Sequence, residues 1–227
     1  MTEMEAILAR HSVRRYTDRR IEDETAKQLR EEIAACNEEG GLHIQLILDE
    51  PEAFGSILAH CGLFKGVRNY IAIVGPKTED LYERSGWYGE RIVLKAQMLG
   101  LNTCWIAGTY SRKKIKVEVA ENERLVCVIA LGYGANQGRP HHNRPVEKLC
   151  ASEAGDPPDW FHRGMEAALL APTAVNQQRF RFTWTGEAVR AEATGNALSR
   201  LDLGIVKYHF AIGAGKENFR WDAEEWL

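Results

Sequence analysis

The chain has 227 residues, 44% of them hydrophobic and 27% charged, and 29 Lys+Arg against 32 Asp+Glu leave a net charge of −3. That composition is ordinary for a globular protein and excludes disorder, collagen-like repeats and a coiled coil, while the charge balance gives no overall attraction to nucleic acid or an anionic membrane. The length corresponds to ~1.5 average domains, and a chain this long buries roughly 70% of its unfolded surface without needing staples.

Periodicity predicts the elements in order. A short helix covers Met1 to Arg10, with Met4, Ile7 and Leu8 on one face. An Arg-rich break over His11 to Arg20 follows, then a second helix from Glu22 to Glu39, whose leading acids suit a helix N-terminus and which Gly40-Gly41 ends. His43 to Leu48 alternates as a strand, and Pro51 opens another short helix. Tyr70 to Val74 is a compact β-rich run closed by Gly75-Pro76, so it reads as a buried strand. A long helix over Asp80 to Leu99 stops at Gly100, Thr103 to Ile106 forms a short strand, and Arg112 to Ala120 reads as a helix. Leu125 to Leu131 is the most strand-like segment of the chain.

After a polar loop from Gly134 to Pro145, the small, acidic, Pro-bearing stretch Ala151 to Pro158 reads as a connector between two portions. Beyond it, a helix spans Asp159 to Leu170, and a hairpin of Arg179 to Thr185 with Ala188 to Ala193 turns at Thr185-Gly186-Glu187. A last helix covers Leu198 to Gly213, followed by an aromatic tail with Phe219, Trp221 and Trp226. Helices and strands alternating in this way predict an α+β (α/β) fold around a central sheet.

The longest apolar runs are far too short to span a bilayer, and Glu3 and Glu5 interrupt any apolar signal core. Five widely spaced cysteines (Cys36, Cys61, Cys104, Cys127, Cys150) include no CxxC pair, which reads as free thiols in a reducing, cytoplasmic setting. His141-His142 has no neighbouring acid or thiol arrangement for a metal, so no metal site is expected.

Several motifs bear on chemistry. Five arginines lie between Arg10 and Arg20, but Asp18, Glu22, Asp23 and Glu24 nearly cancel them, and no interleaved aromatics accompany them, so nucleic-acid binding is not expected. Within that stretch Arg10, Ser12 and Arg14 alternate. In an extended segment they share a side, where two guanidinium groups and a hydroxyl suit a phosphate and a polar ring edge. A solvated turn after a helix explains the pattern equally well. Gly132-Tyr133-Gly134 with Gly138 lacks the Rossmann spacing, and Gly213-Ala214-Gly215-Lys216 lacks the Walker spacing, so neither is a phosphate loop. The segment Ala171 to Phe182 joins helix to strand through amides at Asn176 and Gln178, which suit a heterocycle edge or a sugar chain, or a helix end satisfying its own backbone.

Arg10-His11-Ser12-Val13-Arg14 resembles the Arg-x-Ser-x-Arg motif of the FMN-dependent nitroreductase superfamily. Leu99-Gly100-Leu101-Asn102-Thr103-Cys104-Trp105-Ile106-Ala107-Gly108 is similar to its Leu-Gly-Leu-x-Thr-Cys-Trp-Ile-x-Gly stretch, and Pro172-Thr173-Ala174-Val175-Asn176-Gln177-Gln178 to its Pro-Ser-Ser-x-Asn-x-Gln-Pro turn. Leu131-Gly132-Tyr133 with Arg144-Pro145 resembles the family's closing strand and basic tail, and Leu201-Asp202-Leu203-Gly204 its Asp-x-Gly helix start. The order differs from ordinary members, in which the Pro-Ser-Ser-x-Asn turn follows the second helix. Here Cys36 to Gly41 occupies that place without the motif. Arg179 also stands where Pro is usual, and His142-Asn143 where a Lys is frequent.

The resemblance implies a nitroreductase-like fold with a mostly antiparallel central sheet flanked by helices, and an abbreviated second copy in the same chain, as in the TM nitroreductase branch. Residues 1–150 then form one unit and 151–227 a partial second unit that supplies the displaced turn, an internal pseudo-dimer with one FMN per chain. It implies that Arg10, Ser12 and Arg144 hold the phosphate and ribityl chain and that Arg14 lies near N1 and O2 of the ring. Trp105, Ala107 and Gly108 join the cofactor-binding set, with backbone around Ala107 and Gly108 meeting N5 and O4, and Pro172, Thr173, Ala174 and Asn176 cover the ring. The implied activity is NAD(P)H-dependent and ping-pong, with hydride passing through flavin N5 to a small nitroaromatic, quinone or flavin-like acceptor. No catalytic side chain is required, because the flavin carries the redox chemistry. The alternative is a flavin carrier or sensor with little turnover. Small molecules are the only partners expected besides a second copy; a monomer is the simpler state, because the interface is already internal.

Overall fold

The computed structural model describes residues 1–54, 64–111 and 113–222. The chain separates into two compact units, the first comprising Met1, Ala9–Leu81 and Arg91–Pro140, the second Thr2–Leu8, Tyr82–Glu90 and His141–Leu227.

The first unit is built on an antiparallel sheet of β1 (Gln45–Ile47), β2 (Asn69–Pro76), β3 (Asn102–Ile106) and β4 (Glu123–Gly132), in the order β1-β2-β4-β3. Opposite residues include Ile71 with Ile129 and Cys104 with Ala130. Both faces of β2 are buried, which explains why its sequence is a continuous apolar run rather than an alternating one. Tyr70, Ala72, Val128, Ala130, Cys104 and Ile106 line one face, and Val13, Tyr16, Phe54, Val67 and Tyr110 pack on it. Helix α2 (Asp23–Gly40) ends where Gly41 adopts a left-handed conformation, φ 55°, and its N–H caps the Asn37 carbonyl. Helix α3 (Leu81–Met98) contributes Arg91–Met98 to this unit, and Arg91 forms ion pairs with Glu32 and Glu39 of α2, both at 2.6 Å.

The second unit contains α1 (Glu3–Ala9) up to Leu8, the first half of α3, α4 (Asp159–Leu169), α5 (Ala197–Ala214) and a sheet of β5 (Cys150–Ser152), β6 (Phe180–Trp184) and β7 (Val189–Ala193). Strand β6 pairs with β7 as the expected hairpin and in parallel with β5. Its inward residues Phe180 and Phe182 join Phe161 and Phe210 in an aromatic core, with Phe182 stacked on Phe210 at 4.7 Å. Helices α3 and α5 approach backbone to backbone: a Cβ built on Gly204 would lie 1.8 Å from the Glu83 carbonyl oxygen. Two polar pairs lie beside this contact, the Lys207–Glu83 ion pair at 2.7 Å and a buried His209–Glu90 hydrogen bond at 2.8 Å.

Two expectations are corrected. Residues 113–120 are not helical. Ile115, Val117 and Val119 alternate with Lys116 and Glu118, a two-residue period, and after a turn at Lys113–Lys114 the segment forms neither helix nor strand. Its backbone bonds to side chains of the sheet: Lys116 N–H donates to the Tyr70 hydroxyl, and Gln45 both accepts from Glu118 N–H and donates to its carbonyl. The stretch expected as a connector opens inside β5, with Ala151 opposite Thr183. The helix expected after Pro51 is a single tight turn over Glu52–Phe54 as far as the described residues reach. Cys61, Arg112 and Trp226 lie outside the described residues. Cys36, Cys104 and Cys127 are buried free thiols, and Cys150 is a half-buried one.

Candidate functional site

In the first unit, α1 gives way at Arg10 to an extended segment laid along β3. Ser12 bridges Thr103 in parallel, and Val13 N–H donates to the Thr103 carbonyl at 3.0 Å. Val13 and Tyr16 anchor the segment from below, and the Tyr16 hydroxyl donates to the Val13 carbonyl at 2.7 Å. The next residues are clamped from both sides: Lys65 N–H donates to the Arg14 carbonyl and Ala135 N–H to the Arg15 carbonyl. This fixes the backbone of the Arg-x-Ser-x-Arg motif through tertiary pairing, with no helix or hairpin of its own.

Arg10, Ser12 and Arg14 lie on the segment that Ser12 bridges to Thr103, the residue before Cys104 of β3. Burial pushes the Cys104 thiol up, whereas the Arg14 charge, a hydrogen bond with the Ser12 side chain and the Arg10 charge all pull it back. Arg10 is only 3% exposed, Ser12 is half-buried and Arg14 is exposed. Further along β3, Trp105 is half-buried, and the turn beyond it exposes Ala107 and Gly108. A Cβ built on Gly108 would meet no atom within 4 Å, so the backbone there is open to a ligand.

The glycines that failed as a phosphate loop have a different role. Gly138 is left-handed, φ 76°, and an added Cβ would stand 2.7 Å from the His11 Cβ and 3.1 Å from the Ser12 carbonyl oxygen. At Gly134 a Cβ would reach 3.0 Å from Val13. Both glycines let the loop after β4 press against the motif. Asn102, which sequence reasoning missed, ties that loop to β3: its Oδ1 accepts from Gly134 N–H at 2.9 Å and its Nδ2 donates to the Gln137 side chain at 3.0 Å.

In the second unit, α4 ends at Leu169 and the chain turns through Pro172 to Gln178 into β6. This turn holds three non-glycine residues in the left-handed region, Val175 (φ 52°), Asn176 (φ 54°) and Gln178 (φ 47°). A β-branched residue there is an outlier, and Val175 is also 91% exposed, so no packing compensates it. Polar contacts hold the base instead. Thr173 Oγ1 accepts from Gln178 N–H at 3.1 Å, and the Asn176 amide donates to the His142 carbonyl at 2.8 Å. Ala174 N–H lies 3.0 Å from both carboxylate oxygens of Asp202 on α5.

Gln178 is fully buried; its Oε1 accepts from Arg144 N–H at 2.6 Å and its Nε2 donates to the Asn143 side chain at 3.2 Å. The Arg144 guanidinium in turn donates to the Gln178 carbonyl at 3.2 Å.

The structure thus lays the segment of Arg10, Ser12 and Arg14 along β3, the strand that carries Trp105 and leads to Ala107 and Gly108. Separately, it brings Arg144 onto the turn that carries Pro172, Thr173, Ala174 and Asn176. Gln178 and Asp202 organise that turn without having been assigned to the site, although each lies inside a motif that the sequence shows. Among the described residues no group of three His, Cys, Asp or Glu side chains is placed to hold a metal, and His141 Nε2 lies 2.9 Å from the Leu169 carbonyl oxygen. No helix among them is long and apolar enough to cross a membrane.

An antiparallel sheet with the Arg-x-Ser-x-Arg segment along its edge strand, in a mixed helix and strand chain, is the nitroreductase-like fold. The family described as "Putative TM nitroreductase" matches residues 2–214, and the chain belongs to it. A crystal structure of a "putative nitroreductase" from Thermotoga maritima superposes with a TM-score of 0.71 at 21% identity, covering 99% of this chain and 91% of that one. A nitroreductase family protein from Streptococcus pneumoniae gives 0.51 at 14% identity, over 65% of this chain and 98% of that one. A "putative nitroreductase" from Desulfovibrio desulfuricans, crystallised in complex with FMN, gives 0.49 at 18% identity, over 66% and 95%. At these identities the likeness concerns the fold. No curated protein matches the chain.

Proposed function

We propose that this protein is an FMN-dependent oxidoreductase that binds one FMN per chain and uses NAD(P)H as reductant. The observation that carries the reading is the Arg10–Arg14 segment laid along β3, where Ser12 bridges Thr103 and Val13 N–H bonds to the Thr103 carbonyl. Charge-assisted donors gathered at a fixed backbone suit a phosphate and the polar edge of a ring, and the open turn at Ala107 and Gly108 offers unobstructed backbone beside them. These residues fit the group.

Arg10 and Ser12 bind the phosphate and sugar chain, and Arg14 stabilises negative charge on the ring edge. The backbone of Ala107 and Gly108 orients the ring. The resemblance adds Trp105, Arg144, Pro172, Thr173, Ala174 and Asn176 to the cofactor-binding set. When bound, FMN supplies hydride transfer through N5, taken from NAD(P)H and given to a nitroaromatic, quinone or flavin-like acceptor in a ping-pong cycle. No side chain of the protein has to act as a general acid or base.

The same reading treats residues 1–150 as one nitroreductase unit and 151–227 as an abbreviated second unit, a pseudo-dimer within one chain. The Streptococcus pneumoniae comparison supports it, since 98% of that chain is matched by 65% of this one. One FMN per chain follows, because Arg-x-Ser-x-Arg occurs once, and a monomer in the cytoplasm is the corresponding state.

The test is the flavin absorbance of the purified protein with its FMN-to-protein ratio, followed by anaerobic titration with NADH and NADPH. A ratio near one and bleaching by either nucleotide support the reading. Protein that stays colourless after incubation with FMN overturns it, and bound flavin that neither nucleotide reduces leaves a carrier or sensor.

A further inference from the structure

We propose that Asp202 is a positioning residue for the Pro172–Gln178 turn, its carboxylate holding the Ala174 amide so that loss of its charge loosens the turn and weakens FMN retention. The inference rests on the reading above, in which Pro172, Thr173, Ala174 and Asn176 contact FMN.

The turn is costly to hold. Val175 is left-handed, with φ 52° and ψ 27°, and fully presented to solvent, while Asn176 and Gln178 share the left-handed region. Strain of this kind persists only where surrounding contacts over-determine it. The partners that do so are Thr173, the His142 and Leu169 carbonyls, Asn143, Arg144 N–H and Asp202. Of the groups that accept from or donate to the turn's own backbone, Asp202 alone can change its charge. It accepts Ala174 N–H with both oxygens, each at 3.0 Å, and a charged acceptor makes the stronger bond.

Asp202 is only 4% exposed, and burial raises its carboxyl to about 7 against the lowering effect of the Ala174 amide. Its charge therefore changes near neutrality. The charged groups on the elements around it include the Arg144 guanidinium, which donates to the Gln178 carbonyl of the turn. On α3, Glu83 is held by Lys207 and Glu90 bonds to His209, and Arg84 follows Glu83; α5 itself adds Arg200; Glu3 of α1 accepts from Tyr208. The turn carries no ionisable side chain from Ala171 to Gln178, Arg179 being the next residue.

The test follows the Ala174 amide by ¹H–¹⁵N spectroscopy, and free FMN by fluorescence at fixed dilution, in the FMN-loaded protein between about pH 5 and pH 9. In the wild type the amide is expected to titrate near pH 7, and FMN retention to fall about five- to tenfold on the acid side of the same midpoint, the difference between charged and neutral hydrogen bonding. Asp202→Asn, which keeps an acceptor for Ala174, is expected to flatten both profiles at the wild type's low-pH level, with Asp202→Ala weaker still. If Asn176→Ala releases FMN while Asp202→Asn keeps the wild-type pH profile, the role of Asp202 is refuted and the site reading stands. If neither Asn176→Ala nor Thr173→Ala changes retention, the turn does not contact FMN and the underlying reading fails. Should Asp202→Asn not fold, the wild-type amide decides, and its failure to titrate near neutrality overturns the proposal.

Discussion

Gly138→Ala is expected to dislodge the Arg-x-Ser-x-Arg segment, and Gly100→Ala supplies its control. Both glycines are left-handed, φ 76° and φ 79°, so an alanine at either position bears a conformational cost of about 1–2 kcal/mol. They differ in surroundings. A Cβ at Gly100 meets nothing within 4 Å, whereas one at Gly138 stands 2.7 Å from the His11 Cβ and 3.1 Å from the Ser12 carbonyl oxygen. The Ser12 backbone is pinned to β3 through Thr103, so it cannot yield freely, and overpacking adds about 1–3 kcal/mol.

Both sites belong to the first unit, so they report on the same transition. At about 2–4 °C per kcal/mol for a chain of this size, Gly100→Ala is expected to lower Tm by about 2–8 °C, and Gly138→Ala by up to about 20 °C with release of FMN. Calorimetry and flavin fluorescence on the two variants check this. Equal Tm values and equal FMN retention would refute the reasoning.

Other outcomes follow from the second unit. The Asp202 carboxyl sits near 7 in the folded state against the ordinary 3.8, so its contribution is complete below pH 4 and lost as pH rises through about 7. The loss is on the order of 4 kcal/mol, and urea midpoints at acid and alkaline pH are expected to converge in Asp202→Asn relative to the wild type. Lys207→Met removes the buried ammonium that half-buried Glu83 binds and is expected to cost about 1–3 kcal/mol, part of it recovered by adding Glu83→Leu; a double-mutant cycle in urea measures both. Val175→Asn places a residue that tolerates the left-handed region where Val is strained, so it is expected to stabilise the protein by about 1 kcal/mol. An unchanged or lower Tm would mean that the turn is not strained at Val175.

The elements were legible wherever one period dominated. Helix α5 covers Ala197–Ala214 against an expected Leu198 to Gly213, and β4 covers Glu123–Gly132 against Leu125 to Leu131. The reading failed at residues 113–120, where Lys and Glu favour a helix by propensity while Ile115, Val117 and Val119 alternate, and contacts to Tyr70 and Gln45 from distant strands decide. At the site, the Arg-Ser-Arg alternation was visible, but Arg10 is buried and Arg14 is exposed, a difference that depends on β3 running beside the segment. Asn102 carries no pattern of its own, and Gln178 and Asp202 lie inside motifs whose spacing does not reveal what they hold. Their roles arise from loops that meet only in the folded chain, and the same holds for Gly134 and Gly138, whose spacing matches no phosphate loop because they make room for Val13, His11 and Ser12.

Whether the segment along β3 serves a flavin is read from the FMN content of Arg14→Ala beside the wild type, each then titrated anaerobically with NADH and NADPH. One FMN per wild-type chain is expected, reduced by a nicotinamide nucleotide, with weaker FMN retention or slower reduction in the variant. Two FMN per chain, or an Arg14→Ala protein that binds and reduces FMN as the wild type does, would contradict that role.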